Sequence, residues 1–181
     1  MLVYLIGASG VGKDSLLVAL RQQRPDLLVA HRYITRASGL GEDSLALSEA
    51  EFQARRGRGL FCLDWQAHGL HYGVGIEVEC WLESGATVLL NGSRRALCQA
   101  RERFGDQLLP VVVTAPGEVL RQRLVKRGRE CREQIEARLA RHAEVEAELE
   151  RDYPTVARLD NGGALAVSVR ALEALVDTAC R

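Results

Sequence analysis

The run Gly7-Ala8-Ser9-Gly10-Val11-Gly12-Lys13-Asp14-Ser15 is where residue type and spacing point most directly to chemistry. Glycines at 7, 10 and 12 allow successive backbone N–H groups to converge on phosphate oxygens. A lysine directly after the last glycine supplies a point charge for the β- and γ-phosphates of a nucleotide. A helix beginning there adds its positive end. Such loops continue with Ser or Thr, whose hydroxyl ligates Mg²⁺. Here Asp14 takes that place and Ser15 follows it. A carboxylate can hold the ion directly or through water, and it suits the first turn of a helix. Ser15 lies about 100° further around that helix and so does not simply replace the hydroxyl. Gly7 to Ser15 are thus the candidate binders of a nucleotide's phosphates, with Asp14 and Ser15 the candidate Mg²⁺ ligands.

Phosphoryl transfer also needs cations around the moving group and a clamp on the acceptor. Two clusters qualify. The first is Arg32-Tyr33-Ile34-Thr35-Arg36 with Glu42-Asp43 behind it; the second is Arg121, Arg123, Arg127, Arg129, Arg132, Arg138 and Arg141 around Gly128. Arginine's planar fork suits phosphate oxygens. The competing interpretations are a surface loop for the first cluster and a solvated, glutamate-interleaved helix face for the second. His68 and His71 are either ligand contacts or turn residues. Asn91, Ser93 and Arg94 follow a core strand at its C-terminal end, where ligands bind in such sheets, or serve local capping. Asp160-Asn161-Gly162-Gly163 is a turn that either passes near the nucleotide or is only a turn.

The elements that must hold these groups follow from periodicity. Leu2 to Ile6 is a continuous apolar run, as expected of a strand buried on both faces, and too short for a signal peptide. Residues 14 to 23 read as a helix with Leu16, Leu17 and Leu20 on one face, stopped by Pro25. Leu27 to Ala30 forms a weak strand. Between 31 and 80 the chain is rich in Gly, Ser, Arg and Glu, with brief strand-like pieces, a capping box at Ser48 and Glu51, and a hairpin signal in His68-Gly69-Leu70-His71-Tyr72-Gly73-Val74. This segment is expected to be a small, partly β insert carrying a binding face. Ala86 to Leu90 and Leu108 to Thr114 are buried strands with a helix near 94 to 103 between them. Residues 117 to 150 are helical with a break at Gly128, a last short strand covers 157 to 159, and 164 to 179 form an amphipathic helix through Leu165, Val169, Leu172, Leu175 and Val176. Strands alternating with helices give an α/β fold with a parallel sheet flanked by helices.

With 181 residues the chain suits one domain, and with 47% hydrophobic and 27% charged residues it has the composition of a globular protein. Basic and acidic residues balance at 24 each, so no global charge points to nucleic acid or membrane as a partner. The five cysteines have no CxxC spacing, which argues against a disulfide framework or zinc site and for reduced thiols in the cytoplasm. Oligomeric state is not specified by any pattern.

In order and type, the segments GASGVGK, HRYITR, ALSEAEF, GLFCLDWQAHGLHYGV, TVLLNGSR and RLVKRGRECREQIEARL resemble the guanylate-kinase-like family of P-loop kinases, over nearly the whole chain. The resemblance implies a P-loop core of a single 1–181 domain, an acceptor-binding insert at 31–80, and an arginine-bearing helical lid at 117–145. Guanylate kinase itself fits less well. Arg36 matches one arginine of its acceptor-phosphate site and Tyr72 its tyrosine, but Gly39 stands at the second arginine and Ser44 at another tyrosine. Leu63 stands at the acid that reads guanine, and Arg32 at a guanine-reading serine. A leucine offers a purine edge no partner, whereas an added arginine suits a more phosphorylated acceptor. GKDS, RYITR, GED, LDWQAHGLHYG, VLLNGSR and LDNGG resemble the ribose 1,5-bisphosphate phosphokinase branch, of which GKDS is itself a feature. That branch, part of phosphonate utilisation, transfers the ATP γ-phosphate to the 1-phosphate of ribose 1,5-bisphosphate and yields 5-phosphoribosyl 1-pyrophosphate. The resemblance implies that Lys13 and the loop hold ATP. Arg36 and Tyr72 would hold one acceptor phosphate. Arg32, Tyr33, Glu42, Asp43 and His68 would serve the sugar or its other phosphate, and Arg127 and Arg138 would act from the lid. The alternatives are guanylate kinase or another nucleoside or sugar phosphate kinase, and a catalytically silent binding module.

Overall fold

Leu2–Ile6 forms strand β1, and every residue in it is 0% exposed. A strand with no solvent face must be covered on both sides, which is why its sequence is unbroken by polar residues. In this computed structural model, which describes residues 1–36, 44–128 and 130–179, the chain continues through helix α1 (Lys13–Gln23), β2 (Leu28–Ala30), β3 (Arg32–Ile34), β4 (Ser44–Ala46), α2 (Glu49–Gly57), β5 (Phe61–Ala67) and β6 (Leu70–Gly75). It then runs through α3 (Glu77–Glu83), β7 (Val88–Asn91), a 3-10 turn at Arg94–Ala96, α4 (Leu97–Phe104), β8 (Leu108–Thr114), α5 (Gly117–Arg127), α6 (Arg132–Asp152), β9 (Ala157–Asp160) and α7 (Leu165–Ala179). Strands β2-β7-β1-β8-β9 make one sheet and β4-β3-β6-β5 a second. The pairs β2–β7 and β8–β9 are parallel, as expected when helices connect them.

The chain divides into two compact units, Met1–Tyr4 with Arg21–Leu109 and Leu5–Leu20 with Pro110–Arg181. The first holds the four-stranded sheet. Its β5–β6 hairpin closes on His68-Gly69, both with positive φ, 52° and 73°. That backbone matches the right-handed twist of the strands it joins. Helix α2 starts as the sequence indicates, with the Ser48 hydroxyl accepting from the Glu51 N–H at 3.2 Å. It packs Phe52 on Phe61 at 4.7 Å between ring centroids. Burial pushes the Cys62 thiol up to about 12, so it stays protonated and donates to the Val74 and Gly75 carbonyls.

In the second unit α1 buries Leu16, Leu17 and Leu20, as the periodicity requires. Helices α5 and α6 meet through Leu120, Leu124, Ile135 and Leu139. Gly128 ends α5 in the left-handed conformation, φ 62°, and its N–H caps Leu124 and Val125. In α7 the expected stripe shifts by one turn's edge: Val169, Leu172 and Val176 are buried, but Leu165 is 39% exposed and Ser168 is buried in its stead. The Ser168 hydroxyl donates to the Asp160 carbonyl at 3.0 Å, a contact that hydropathy does not register. No helix among the described residues is long and apolar enough to cross a membrane.

Candidate active site

Residues 7–12 connect β1 to α1 in the second unit. Three of them, Gly7, Gly10 and Gly12, have positive φ. Lys13 opens α1 and its Nζ donates to the carbonyls of Gly7 and Ala8, at 2.9 and 3.0 Å. The lysine thus lies folded across the loop. Its ammonium is held by carbonyl dipoles, which an anion of the same reach can displace. The first turn of α1 carries Asp14, half-buried, and Ser15, exposed. Ala8 and Val11 are buried and Ser9 is exposed.

The turn after β9 reaches this loop. Asn161 is 1% exposed, and its Nδ2 donates to the Val11 carbonyl at 2.7 Å. Arg123, on α5, donates through Nη1 to the same carbonyl at 3.3 Å and through Nη2 to the Asn161 carbonyl at 2.6 Å. Asn161 itself extends the β8–β9 ladder by donating its N–H to the Thr114 carbonyl at 2.8 Å. The Asp160 carboxylate accepts from the Gly162 N–H at 2.8 Å and so closes the turn.

On the helical pair, Arg138 is paired with Glu130 at 2.5 Å, and Arg127 is exposed at the end of α5. Arg121 pairs with Glu136 across the two helices, which makes it a strut between them. Cys131 caps α6 and Gln134 returns the bond to the Cys131 N–H at 2.9 Å, a capping box with a thiol at its head. His142 is buried and its Nε2 lies 3.0 Å from the Ala115 carbonyl. One turn on, Glu146 is half-buried, and its Oε1 has no hydrogen-bond partner. Burial holds the Glu146 carboxyl above the usual range, against the pull of His142, Arg158 and Lys13. A raised carboxyl pKa in the fold contributes stability below the unfolded value and loses it as pH rises through the folded value. Glu146→Gln is therefore expected to melt slightly higher than the wild type at pH 8, on the order of 1 °C. The gain should vanish at pH 4, as followed by thermal melts across pH.

The first unit carries the residues proposed for the acceptor. Along β3, side chains alternate. Arg32 pairs with Val74 and Ile34 with Tyr72, while Tyr33 pairs with Gly73. On the other side of β6, Leu63 pairs with Val74 and Trp65 with Tyr72. Arg32, Ile34, Leu63, Trp65 and Tyr72 therefore share one face of the sheet, since directly opposed residues project to the same side. Trp65 and Tyr72 stack at 5.4 Å with a 3° interplanar angle. Tyr33 lies on the other face, with α2. Its ring is 5.6 Å from Phe61, the Arg55 guanidinium stands 5.0 Å over it, and its hydroxyl donates to Glu77 at 3.4 Å. Desolvation raises the Tyr33 phenol, so it remains a neutral donor. His71 joins that face, 5.3 Å from Phe52 and paired with Glu49 at 3.3 Å. The structure thus puts Arg32 on the Tyr72 face and Tyr33 on the opposite one, whereas the sequence sets Arg32 with Tyr33 and Tyr72 with Arg36. His68 has the hairpin turn as its place, exposed and with positive φ. Arg36 is exposed just beyond β3. Glu42 and Asp43 lie outside the described residues.

Asn91 is the buried last residue of β7. The loop after it is tied to β1 by Tyr4, whose hydroxyl donates to the Ser93 carbonyl at 2.9 Å and accepts from the Ser93 N–H at 3.0 Å. Arg95 donates to the Gln66 carbonyl at 3.4 Å. Sequence reasoning missed Tyr4, and it named Arg123 only as one of the seven arginines of the second cluster. Tyr4 sits inside an apolar strand, where it reads as core. Arg123 is one of many arginines on α5, and only its position three residues after buried Leu120 marks it as facing inward.

Among the described residues no three His, Cys, Asp or Glu side chains cluster as metal ligands. Asp14 and Ser15, in the first turn of α1, offer a carboxylate and a hydroxyl, oxygen donors of the kind Mg²⁺ takes beside nucleotide phosphates.

A family model described as an AAA domain matches residues 2–151. Ribose 1,5-bisphosphate phosphokinase PhnN of Pectobacterium atrosepticum is 49% identical over 99% of this chain and 96% of its own length. The protein of the same name from Dickeya zeae is 52% identical over 97% of this chain and 92% of its own. Among solved structures, guanylate kinase from Anaplasma phagocytophilum superposes with a TM-score of 0.73 at 17% identity, over 98% of this chain and 85% of that one, and so shares the fold. Identity at this level across essentially the full length of both chains, on a guanylate-kinase-like P-loop fold, shows that this chain belongs to the ribose 1,5-bisphosphate phosphokinase family.

Proposed function

We propose that this protein transfers the γ-phosphate of ATP to the 1-phosphate of ribose 1,5-bisphosphate, giving 5-phosphoribosyl 1-pyrophosphate and ADP. The observation that carries the choice of acceptor is the pair at Val74. Arg32 opposes it from one side and fully buried Leu63 from the other. A face built of an arginine and a leucine attracts phosphate and gives a purine edge no partner. The full-length similarity to relatives named for this activity supports the same conclusion.

An oxygen of the sugar's 1-phosphate is the nucleophile. It is anionic near neutral pH, so no general base is required. The bond from the γ-phosphorus to the β,γ-bridging oxygen breaks as the bond to the acceptor oxygen forms, and ADP leaves with the electron pair. Catalysis is then positioning and charge neutralisation. The N–H groups of residues 7–12 and the Lys13 ammonium bind the nucleotide's phosphates, the lysine giving up the Gly7 and Ala8 carbonyls. Mg²⁺, carried by the phosphates with Asp14 or Ser15 as its protein ligand, would neutralise charge there. Arg36 and Tyr72 hold the acceptor's reacting phosphate, with Arg32 toward its other end and Asn91 serving the sugar. Arg138, released from Glu130, and Arg127 supply further positive charge. Residues 31–80 act in this scheme as the acceptor-binding insert and 117–145 as the lid. ATP as donor and cysteines spaced for neither a disulfide framework nor a zinc site suit a cytoplasmic enzyme acting on a small molecule.

Phosphorus NMR of the product tests the site of transfer. Phosphorylation of the 1-phosphate converts a single phosphomonoester signal into a coupled pyrophosphoryl pair and leaves the 5-phosphate signal unchanged. Growth of inorganic phosphate alone, or modification of the 5-phosphate, would contradict the proposal.

A further inference from the structure

Tyr4 puts a hydroxyl in the middle of β1, at a residue with no exposed surface. A phenylalanine would fill that space as well, so what the tyrosine adds is its pair of hydrogen bonds. The hydroxyl donates to the Ser93 carbonyl at 2.9 Å and accepts from the Ser93 N–H at 3.0 Å. Ser93 is extended, with φ −129° and ψ 135°. An extended residue turns its N–H and C=O to the same side, as when a strand residue exchanges both bonds with the residue opposite it. The hydroxyl thus stands where a neighbouring strand's peptide would, two residues after β7 has ended at Asn91. The ring tightens the hold. A Cβ placed on Gly92 would lie 2.3 Å from Tyr4 Cζ, so the loop backbone rests directly on the ring.

Both sides of this anchor lead to residues read above as acceptor-binding. Before it comes Asn91, buried at the C-terminal end of a parallel strand, where such sheets bind ligands. After it, the Ser93 hydroxyl accepts from the Arg95 N–H at 3.3 Å and opens the 3-10 turn Arg94–Ala96. Arg95 then donates to the carbonyl of Gln66, the neighbour of Trp65, which stacks on Tyr72. All of these residues belong to the first compact unit. We infer that Tyr4 is a positioning residue for the acceptor. Its hydroxyl fixes residues 91–95, so that Asn91 meets the sugar in a set place and Arg95 stays on Gln66 beside the Trp65–Tyr72 stack. It acts through Ser93 and does not touch the substrate. This rests on the reading of Asn91 and Tyr72 as acceptor-binding residues. Its physical basis is preorganisation: a site already in its binding conformation spends less of the binding free energy on ordering itself.

Initial rates with each substrate varied, and titration calorimetry with ADP, test this on the full chain. Tyr4→Phe keeps the ring against Gly92 and removes the hydroxyl. It is expected to raise KM for ribose 1,5-bisphosphate about tenfold, the effect of leaving a loop peptide group without its partner. KM for ATP and the affinity for ADP should stay as in the wild type. Arg95→Met, at an exposed residue, should raise the same KM about threefold through loss of the single bond to Gln66. It also serves if Tyr4→Phe fails to fold. A rise confined to the sugar bisphosphate supports the inference. A lower melting temperature with both KM values unchanged overturns it, because the hydroxyl would then stabilise the fold alone. Equal rises in both KM values overturn it as well. Wild-type protein that binds ADP but turns over no ribose 1,5-bisphosphate removes the acceptor reading and the inference with it.

Discussion

Lys13→Met is expected to lower kcat by about 10²–10³-fold, the usual cost of removing one preorganised donor from a site of developing charge. Methionine keeps the length and most of the apolar stem, so the start of α1 and the burial of Leu16 and Leu17 behind it should persist. What disappears is the ammonium now shared by the Gly7 and Ala8 carbonyls. Because both bonds, to half-buried Gly7 and buried Ala8, are themselves only partly buried, their loss should move the melting temperature by no more than a few degrees. Stopped assays at saturating ATP and sugar bisphosphate, with a melt of the same preparation, check both halves. A kcat within about threefold of wild type, less than 1 kcal/mol of barrier, would mean that Lys13 does not contact the transferred group.

Arg36→Met should reduce kcat/KM for ribose 1,5-bisphosphate by about 10²–10³-fold, because the acceptor phosphate would lose a charge-assisted, two-pronged partner. The loss belongs mainly in KM for the acceptor, with KM for ATP unchanged. Arg36→Lys should recover little, since an ammonium cannot reproduce the guanidinium fork. Arg36 is exposed and outside the sheet's hydrogen-bond ladder, so folding is not at stake. Initial-rate measurements with each substrate varied in turn decide this. Equal rises in both KM values would place Arg36 away from the acceptor.

The parts of the fold that the sequence displays are those in which pattern and burial coincide. Leu2 to Ile6 has no charged residue because it has no exposed face, and Leu16, Leu17 and Leu20 mark the one buried face of α1. Gly128 marks a helix end because only a left-handed residue fits there. The loop from Gly7 to Lys13 is legible for a similar reason: its glycines and lysine are contiguous, so spacing alone carries the geometry.

What stayed hidden depends on contacts between distant residues. Asn161 meets Val11 across 150 positions and Arg123 meets Val11 across 112. Nothing local in either segment reports the encounter. Within the insert, Arg32, Tyr33 and Tyr72 look alike as candidates. Only the register of β3 against β6 sends Tyr33 to the α2 side and leaves Arg32 and Tyr72 together. His68, which the sequence leaves as either a ligand contact or a turn residue, sits at the hairpin turn with φ 52°. Leu165 was expected on the buried face of α7, but the Ser168 hydroxyl reaches a carbonyl there. Periodicity counts apolar residues and misses such a bond.

Of all measurements, the acceptor comparison bears most directly on the central claim. Purified protein with ATP and Mg²⁺ is offered ribose 1,5-bisphosphate or GMP, and ADP release is followed by a coupled assay. The account predicts sustained turnover with the sugar bisphosphate and release with GMP no faster than the acceptor-free background, because Leu63 and Arg32 leave guanine without its partners. Rapid turnover with GMP and none with ribose 1,5-bisphosphate would contradict it.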